Sequence, residues 1–297
     1  MAANEMTQLY IKTFESNIVH LAQQKFSKLR NTVTTRTGPG ASHRFQVMSA
    51  RGAMTAKTAP AGTNTNKRNA TPWVDSVFNN RVATPAPYHT ADSFEWDDIV
   101  RQLTDPQSAL TSSMAAQAGR RFDDCIIAAA TGAALDDLSN SNSHPAGSQI
   151  GGATTAFDFD LVRATRELIL EKDIDPDEEV FFVISPNAVM ALLDDAKATS
   201  IDYANAKALM GGGLVQGWMG FTWIVSNRLT DPAPTSLQRY GLAYTKDAIG
   251  MLVAKEPFVK VAEDPGASFA TTVYLGVDVG AVRIQDAKML RVHYLET

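Results

Sequence analysis

Residues 105–130 read DPQSALTSSMAAQAGRRFDDCIIAAA. Asp105 followed by Pro106 marks a helix start. A carboxylate there can accept a free N–H of the first turn, and proline sets φ where its missing N–H costs nothing. Leu110, Met114, Ala118, Phe122, Cys125, Ile126 and Ala129 then recur every three or four residues, which is the period of an apolar helical stripe. Alanine is abundant, so propensity agrees with pattern. Carried through to Leu138, the helix is expected to run roughly 30 residues, or about 45 Å at 1.5 Å per residue. The mean for globular proteins is about 11–12 residues. Cys125 falls on the apolar stripe and reads as a small buried side chain. Asp123 and Asp124 point about 100° apart on a helix, so they form no catalytic dyad and read as helix surface.

Upstream, Tyr10, Phe14, Ile18, Leu21, Ala22, Phe26 and Leu29 recur at helical spacing, predicting an amphipathic helix or pair of helices between Gln8 and Val33. The Thr34–Gly40 stretch ends in Gly38-Pro39-Gly40 and stops it. Residues 45–48 read as a strand. Arg51–Asn69 then carries almost no large apolar group, and cannot supply a core of its own. Trp73, Val74, Val77 and Phe78 follow. Strand-like flanks around a basic tip predict a long β-hairpin that projects from the body and needs a surface to lie on.

Downstream, Ser139–Gly152 reads as a polar loop. Asp160–Lys172 predicts a helix, Glu179–Ile184 a buried strand, and Ser185-Pro186 a helix through Leu193. Ala204–Gly213 reads as a short helix ending in three glycines. Gly220–Ser226, Tyr240–Tyr244, Ile249–Val253, Thr271–Gly280, Ala281–Ile284 and Met289–Tyr294 read as strands. Helices and strands mixed in this order predict an α+β or α/β body.

The composition admits a globular body: 297 residues, 44% hydrophobic and 20% charged. No apolar run is long enough to span a bilayer, so no membrane partner is expected. Net charge is −5, but unevenly placed. Residues 1–82 hold 11 Lys and Arg against three acids, a net of +8; residues 83–297 hold 16 against 29, a net of −13. Such asymmetry points to a partner of opposite sign, either nucleic acid or the acidic part of a neighbouring copy.

Catalytic patterns are missing. His20, His43, His89, His144 and His293 stand at no metal-binding spacing, and no phosphate-binding glycine loop is present. Residues 266–270, Gly-Ala-Ser-Phe-Ala, fall one glycine short of a nucleophile elbow and follow Asp264-Pro265, so they read as a turn between strands. Asp173, Asp175 and Asp177 imitate the start of a calcium loop, but Glu178 and Ile184 occupy its glycine and glutamate positions. An acidic turn is the plainer reading. No catalytic, cofactor or metal residue is therefore assigned, and the chain is expected not to be an enzyme. A basic arm, a projecting loop and one very long helix fit a protein whose projections bury surface only on neighbours.

The run 19–30, VHLAQQKFSKLR, resembles the N-terminal region of a family of tailed-bacteriophage major capsid proteins. Trp96-Asp97-Asp98, then Asp105-Pro106, then Ala116–Ala130 resemble its second signature, and Gly217–Leu229 and Tyr240–Val253 its central and late strands. The family has the Hong Kong 97-like fold. The resemblance implies an N-terminal arm over 1–40, an extended loop over 41–90, and a peripheral domain over 91–175 with a spine helix over 106–138. It further implies an axial domain over 176–254 and return strands over 255–297. It implies self-assembly as pentamers and hexamers into an icosahedral head around double-stranded DNA, bound without sequence specificity. Portal protein, a separate scaffolding protein and a decoration protein are the other partners implied. The place implied is the virion, after assembly in the host bacterial cytoplasm. Lys57 and Lys67 stand where some members cross-link, a chemistry that needs a desolvated lysine beside a carboxylate. On this reading the inter-subunit contact candidates are Arg44, Arg51, Lys57, Lys67, Arg68, Trp73 and Phe78. Two other readings compete: a shell of the same fold enclosing enzymes in a cell, and a soluble α/β enzyme or binding protein with a flexible basic N-terminal region.

Overall fold

The computed structural model describes residues 24–48, 75–95, 106–172, 174–175, 177–195, 217–232 and 237–296. Within them two sheets share one helical layer. The first is built on a long antiparallel hairpin of β11 (Ile249–Asp264) and β12 (Ala270–Arg283). β4 (Ala86–Phe94) pairs antiparallel with the outer side of β12, and β1 (Thr34–Thr37) lies parallel on β11, Thr34 opposite Gly250. Alternation along β12 points Val273, Leu275, Val277 and Val279 to one face, where all four are buried. Helix α1 (Pro106–Thr131) covers that face. Its Met114 and Ala118 pack with Val273 and Leu275, while Phe122 and Ile126 pack with Val277 and Val279. Each such fully buried side chain contributes about 1.5–3 kcal/mol.

Helix α1 starts at Pro106 as expected but ends at Thr131, short of Leu138. Gly132 donates the last helical bond, to the Ala128 carbonyl at 2.8 Å. Two arginines then occupy the free carbonyls of the helix end. Arg283 Nη1 donates to Gly132 at 2.7 Å, and Arg291 Nη1 to Thr131 at 3.3 Å. The chain turns instead into β5 (Ala134–Leu135), paired with β6 (Ser141–Asn142).

The second sheet has the order β7-β13-β10-β8-β9, from β7 (Gln149–Ala156), β8 (Val180–Ile184), β9 (Phe221–Val225), β10 (Gln238–Thr245) and β13 (Met289–Leu295). Helices α2 (Phe159–Leu170) and α3 (Pro186–Asp194) contribute Leu161, Val162, Ile169, Val189 and Leu192 to its core. Both helices start on a side-chain cap, Asp158 accepting from Leu161 N and Ser185 from Ala188 N. Phe182 stacks on Trp223 at 4.8 Å within a cluster that also holds Phe221, Trp218, Tyr294 and Phe157. Phe157, Leu161, Val162 and Ile169, which the expected boundary at 176 places in the peripheral domain, pack in this core. β8 is buried on both faces. Phe182 and Ile184 face the aromatic core, whereas Phe181 and Val183 join the core under α1, so one strand ties the two bodies together.

Several sequence expectations change. The two strands expected over 271–280 and 281–284 are one strand, β12, which ends at Arg283, and β11 extends to Asp264 because pairing with β12, rather than burial, orders its second half. β7 emerges from the stretch read as a polar loop; Gly151 takes φ +80, and a Cβ there would lie 2.1 Å from the His293 carbonyl oxygen. Residues 24–33 are no continuous helix but an irregular turn and a short 3-10 turn over Arg30–Thr32. The expected helix over 204–213 lies outside the described residues.

Candidate assembly surfaces

β2 (His43–Met48) and β3 (Phe78–Ala83) form a separate antiparallel hairpin, Met48 opposite Phe78 at the end that leads into the connecting residues. Phe45 and Ala83 root its base in a small core with Ala134, Leu252 and Val282. Arg44 pairs with Asp137, and Arg81 Nη2 lies 2.9 Å from Asp286, so the base is also tied by charge. Away from the base the apolar groups are exposed. Met48, Val77 and Phe78 are 53%, 60% and 60% exposed. Three large apolar side chains at one end of a two-stranded hairpin are a surface in need of a partner. A cleft of about 440 Å³ beside it is lined by Arg44, Phe78, Asn80, Asp136, Asp137 and Leu138.

Of the seven contact candidates, the structure therefore brings Arg44 and Phe78 to one cleft. Arg44 is half-exposed and paired within its own chain. Arg51, Lys57, Lys67, Arg68 and Trp73 lie outside the described residues.

The arm is fastened by a residue the sequence reading placed on the surface. Asp123 is fully buried. Its carboxylate accepts from Gln24 Nε2 and Ser27 Oγ, both at 2.5 Å, and from the backbone N–H groups of Lys28 and Leu29 at 3.1 Å. These bonds replace a helical ladder, which is why the arm is not helical here. Arg120 Nη1 donates to the Gln24 carbonyl, and Lys28 Nζ to the Val225 carbonyl. Gly119 makes the approach possible: a Cβ there would lie 3.1–3.2 Å from the backbone of Lys25, Phe26 and Ser27. Asp124 points the other way and is paired bidentately with Arg228 at 2.5 Å. Hydrogen bonds to the carboxylate raise the Arg228 pKa. The 100° separation of adjacent helix positions thus gives the two aspartates two unrelated partners. No sequence pattern separates them, since both are acids on a polar-looking flank.

A second buried hub is Arg283, fully buried. Besides Gly132 it donates to the carbonyls of Asn142 and Ser143 at 3.1 and 3.2 Å, and to Asp286 at 2.5 Å. Next to it His144 is pushed down to about 4, by burial first and then by the Arg283 charge. Cys125 is buried as expected, and burial raises its thiol pKa. Ser268, of the near-elbow, sits at the β11–β12 turn with φ +53. Among the described residues no group of three or more His, Cys, Asp or Glu could hold a metal ion, and no helix is long and apolar enough to cross a membrane.

A family model described as phage capsid protein matches residues 6–296. The chain belongs to the phage capsid protein family. Solved structures agree in fold. The cyanophage Pam1 capsid subunit superposes with TM-score 0.71 at 14% identity, covering 100% of this chain and 99% of that one. The capsid of cyanophage P-SCSP1u gives 0.69 at 17%, covering 100% and 96%, and that of Mycobacterium phage Che8 gives 0.67 at 14%, covering 95% and 97%. No curated protein sequence matches. The fold of this capsid protein is thus the α+β, Hong Kong 97-like one that the resemblance implied, and its work is that of a major capsid protein, a structural component of the virion.

Proposed function

We propose that this capsid protein assembles with copies of itself, as pentamers and hexamers, into an icosahedral head around double-stranded DNA of a tailed bacteriophage. The observation that carries it is the β2–β3 hairpin, rooted in the body yet presenting exposed Met48, Val77 and Phe78. A neighbour's surface would bury them. The basic arm and loop would lie on acidic surface of adjacent subunits, Arg44, Arg51, Lys57, Lys67 and Arg68 supplying charge and Trp73 and Phe78 apolar area. Exposed ion pairs contribute only about 0–1 kcal/mol each, so their part is to set register and steer encounter.

In this reading the peripheral domain is the β1-β11-β12-β4 sheet with α1, and the axial domain is the five-stranded sheet with α2 and α3. DNA is held without sequence readout, as suits a body of net negative charge. A portal protein, a separate scaffolding protein and a decoration protein are further proposed partners. Assembly takes place in the bacterial cytoplasm, with no catalytic step. Sedimentation velocity of the purified protein, with negative-stain microscopy of any fast fraction, tests the reading. Closed shells, tubes or sheets of hexamers are expected. A species that stays monomeric or dimeric even when co-expressed with the neighbouring phage genes would overturn it.

A further inference from the structure

The two flanks of α1 are unlike. Gly119 and Asp123 carry the arm on one of them. Gln117 and Arg121 stand two positions before each, so they lie about 160° round the helix and face the other flank. The arm flank is the β11 side of the sheet, where Arg30 pairs with Glu256. The other is the β4 side, since β11 and β4 are the two neighbours of β12. Both surfaces sit at the middle of the helix, which stands between them.

On the arm flank stands a fixed knob. Phe26 is 81% exposed. One exposed ring on a surface is ordinary, but the backbone on either side of this one is held. The Phe26 carbonyl accepts from Gln24 Nε2 at 2.7 Å, and the Gln24 carbonyl accepts from Arg120. Ser27 Oγ and the N–H groups of Lys28 and Leu29 all donate to Asp123. An apolar group already fixed in place loses little freedom on binding, and aromatic side chains are enriched where subunits meet.

On the opposite flank is a hole. A cleft of about 180 Å³ opens between α1 and β4. Ala118 and Leu275 give it an apolar floor, and Gln117, Thr90 and Tyr88 stand around it, with the Arg121 guanidinium 3.6 Å over the Tyr88 ring. A cavity of about 150 Å³ takes a benzene ring, so the cleft has room for one phenyl group. Charge matches as well. Residues 24–30 carry Lys25, Lys28 and Arg30 and no acid, whereas residues 86–95 carry Asp92 and Glu95 and no lysine or arginine. Asp92 stands opposite Val273 and Thr90 opposite Leu275, so the carboxylate follows the cleft wall on the helix side of β4. Lys25, Asp92 and Glu95 are all exposed. The exposed Phe269 fits this cleft less well, because the strand before it ends in Glu263 and Asp264, of the same sign as β4.

We propose that Phe26 of one subunit seats in the Tyr88–Ala118–Leu275 cleft of the next, with Lys25 against Asp92. The contact rests on the shell reading above and names a seat for the arm within it. Knob and hole occupy opposite flanks of one helix, so the contact is head-to-tail. Every copy gives one knob and receives one, and such a contact closes into a ring when its rotation divides the circle. Rings of five and six are what the shell reading requires.

The first test co-expresses two full-length variants, Lys25→Cys and Gln117→Cys, each keeping Phe26. Since neither chain carries both new cysteines, a link between positions 25 and 117 must cross subunits. A short bismaleimide applied to the fast-sedimenting fraction is expected to give that link, read by mass spectrometry of the joined peptides. The parent, whose one cysteine is the buried Cys125, is the blank. Assembled particles without the link overturn the contact and leave the shell reading standing. A parent chain with no fast fraction overturns the shell reading, and the contact with it.

The second measurement needs no cysteine. Phe26→Ala acts at an exposed position, so its circular dichroism spectrum should match the parent's. The protein concentration needed for half-assembly should rise about tenfold or more, because each contact loses a buried aromatic side chain. Thr90→Phe, which fills the cleft from its own chain, should raise it similarly. Assembly like the parent's in both variants overturns the proposal.

Discussion

The backbone N–H of Leu29 donates to the carboxylate of Asp123 at 3.1 Å, and both residues are fully buried. The arm is therefore held by a buried charge whose hydrogen bonds come from four donors of one turn. Charged acceptors make the stronger bonds, and a donor left unmatched in the interior costs more than the bond was worth. Asp123→Ala should lower unfolding free energy by about 2–4 kcal/mol in urea titration. A loss under about 0.5 kcal/mol, the range of ordinary surface substitutions, would show that the latch contributes little.

Gly119→Ala separates helix from arm. Alanine favours the helix by up to about 1 kcal/mol, but its methyl crowds the arm backbone at Lys25, Phe26 and Ser27. Hydrogen exchange should show Lys28 and Leu29 amides losing protection by about tenfold, since local opening costs less than global unfolding. The centre of α1 should hold its rates. Equal protection of the arm in both proteins would contradict this account.

Arg283 closes the end of α1 and two loop carbonyls with one planar fork. Lysine presents its donors from a single point and cannot reach the same set. Arg283→Lys and Arg283→Met should both destabilise, by about 1–3 kcal/mol for each buried carbonyl left without its donor, whereas Asp286 keeps its pair with Arg81. Thermal unfolding at neutral pH measures it, and a lysine variant as stable as the parent would be the contrary result.

His144 predicts an acid limb to stability. Its pKa is depressed to about 4 in the folded state against 6.5 for an ordinary histidine, with desolvation the main cause. As pH falls below 6.5 the unfolded chain takes up a proton that the folded one refuses. Stability is thus full above that pH, declines between 6.5 and about 4, and levels off below. The loss amounts to roughly 3 kcal/mol at 1.36 kcal/mol per unit. His144→Gln should flatten this limb in urea titrations between pH 7 and 4; an equally steep limb in the variant would assign it to other groups.

Charge reversal of Arg51 and Arg68 to glutamate should slow assembly at low salt and matter less at high salt, where the Debye length shortens to about 3 Å at 1 M. Light scattering during assembly reads this directly. Unchanged kinetics in low salt would remove the basic loop from the assembly step.

The apolar stripe of α1 from Leu110 to Ala129 was legible because a helix on a sheet needs one apolar face, and its 3.6-residue period survives whatever lies beneath. β8 was legible as an uninterrupted apolar run, since both its faces are buried. β7 and the second half of β11 were hidden. Gln149–Ala156 holds glycines and threonines, and Lys255–Asp264 is mostly exposed, so neither carries a burial pattern. Of the assembly surface, a strand over 45–48, which the structure pairs with β3, could be read from its apolar residues. The arm's fastening could not.

By itself the sequence determined the elements whose order comes from local periodicity and caps: α1 from Pro106, α2 from its apolar spacing after Asp160, α3 behind Ser185-Pro186, and the central strands. Only the tertiary structure decided which polar groups go inside. Asp123 and Asp124 are neighbours of one type, yet one receives an arm from about 95 residues away and the other an arginine 104 residues on. Arg283, Gly132 and Ser143 likewise meet across some 140–151 residues. Local pattern encodes the face a residue occupies on its own element. The partner that compensates a buried charge is brought by the path of the chain in space, and no local period records that path.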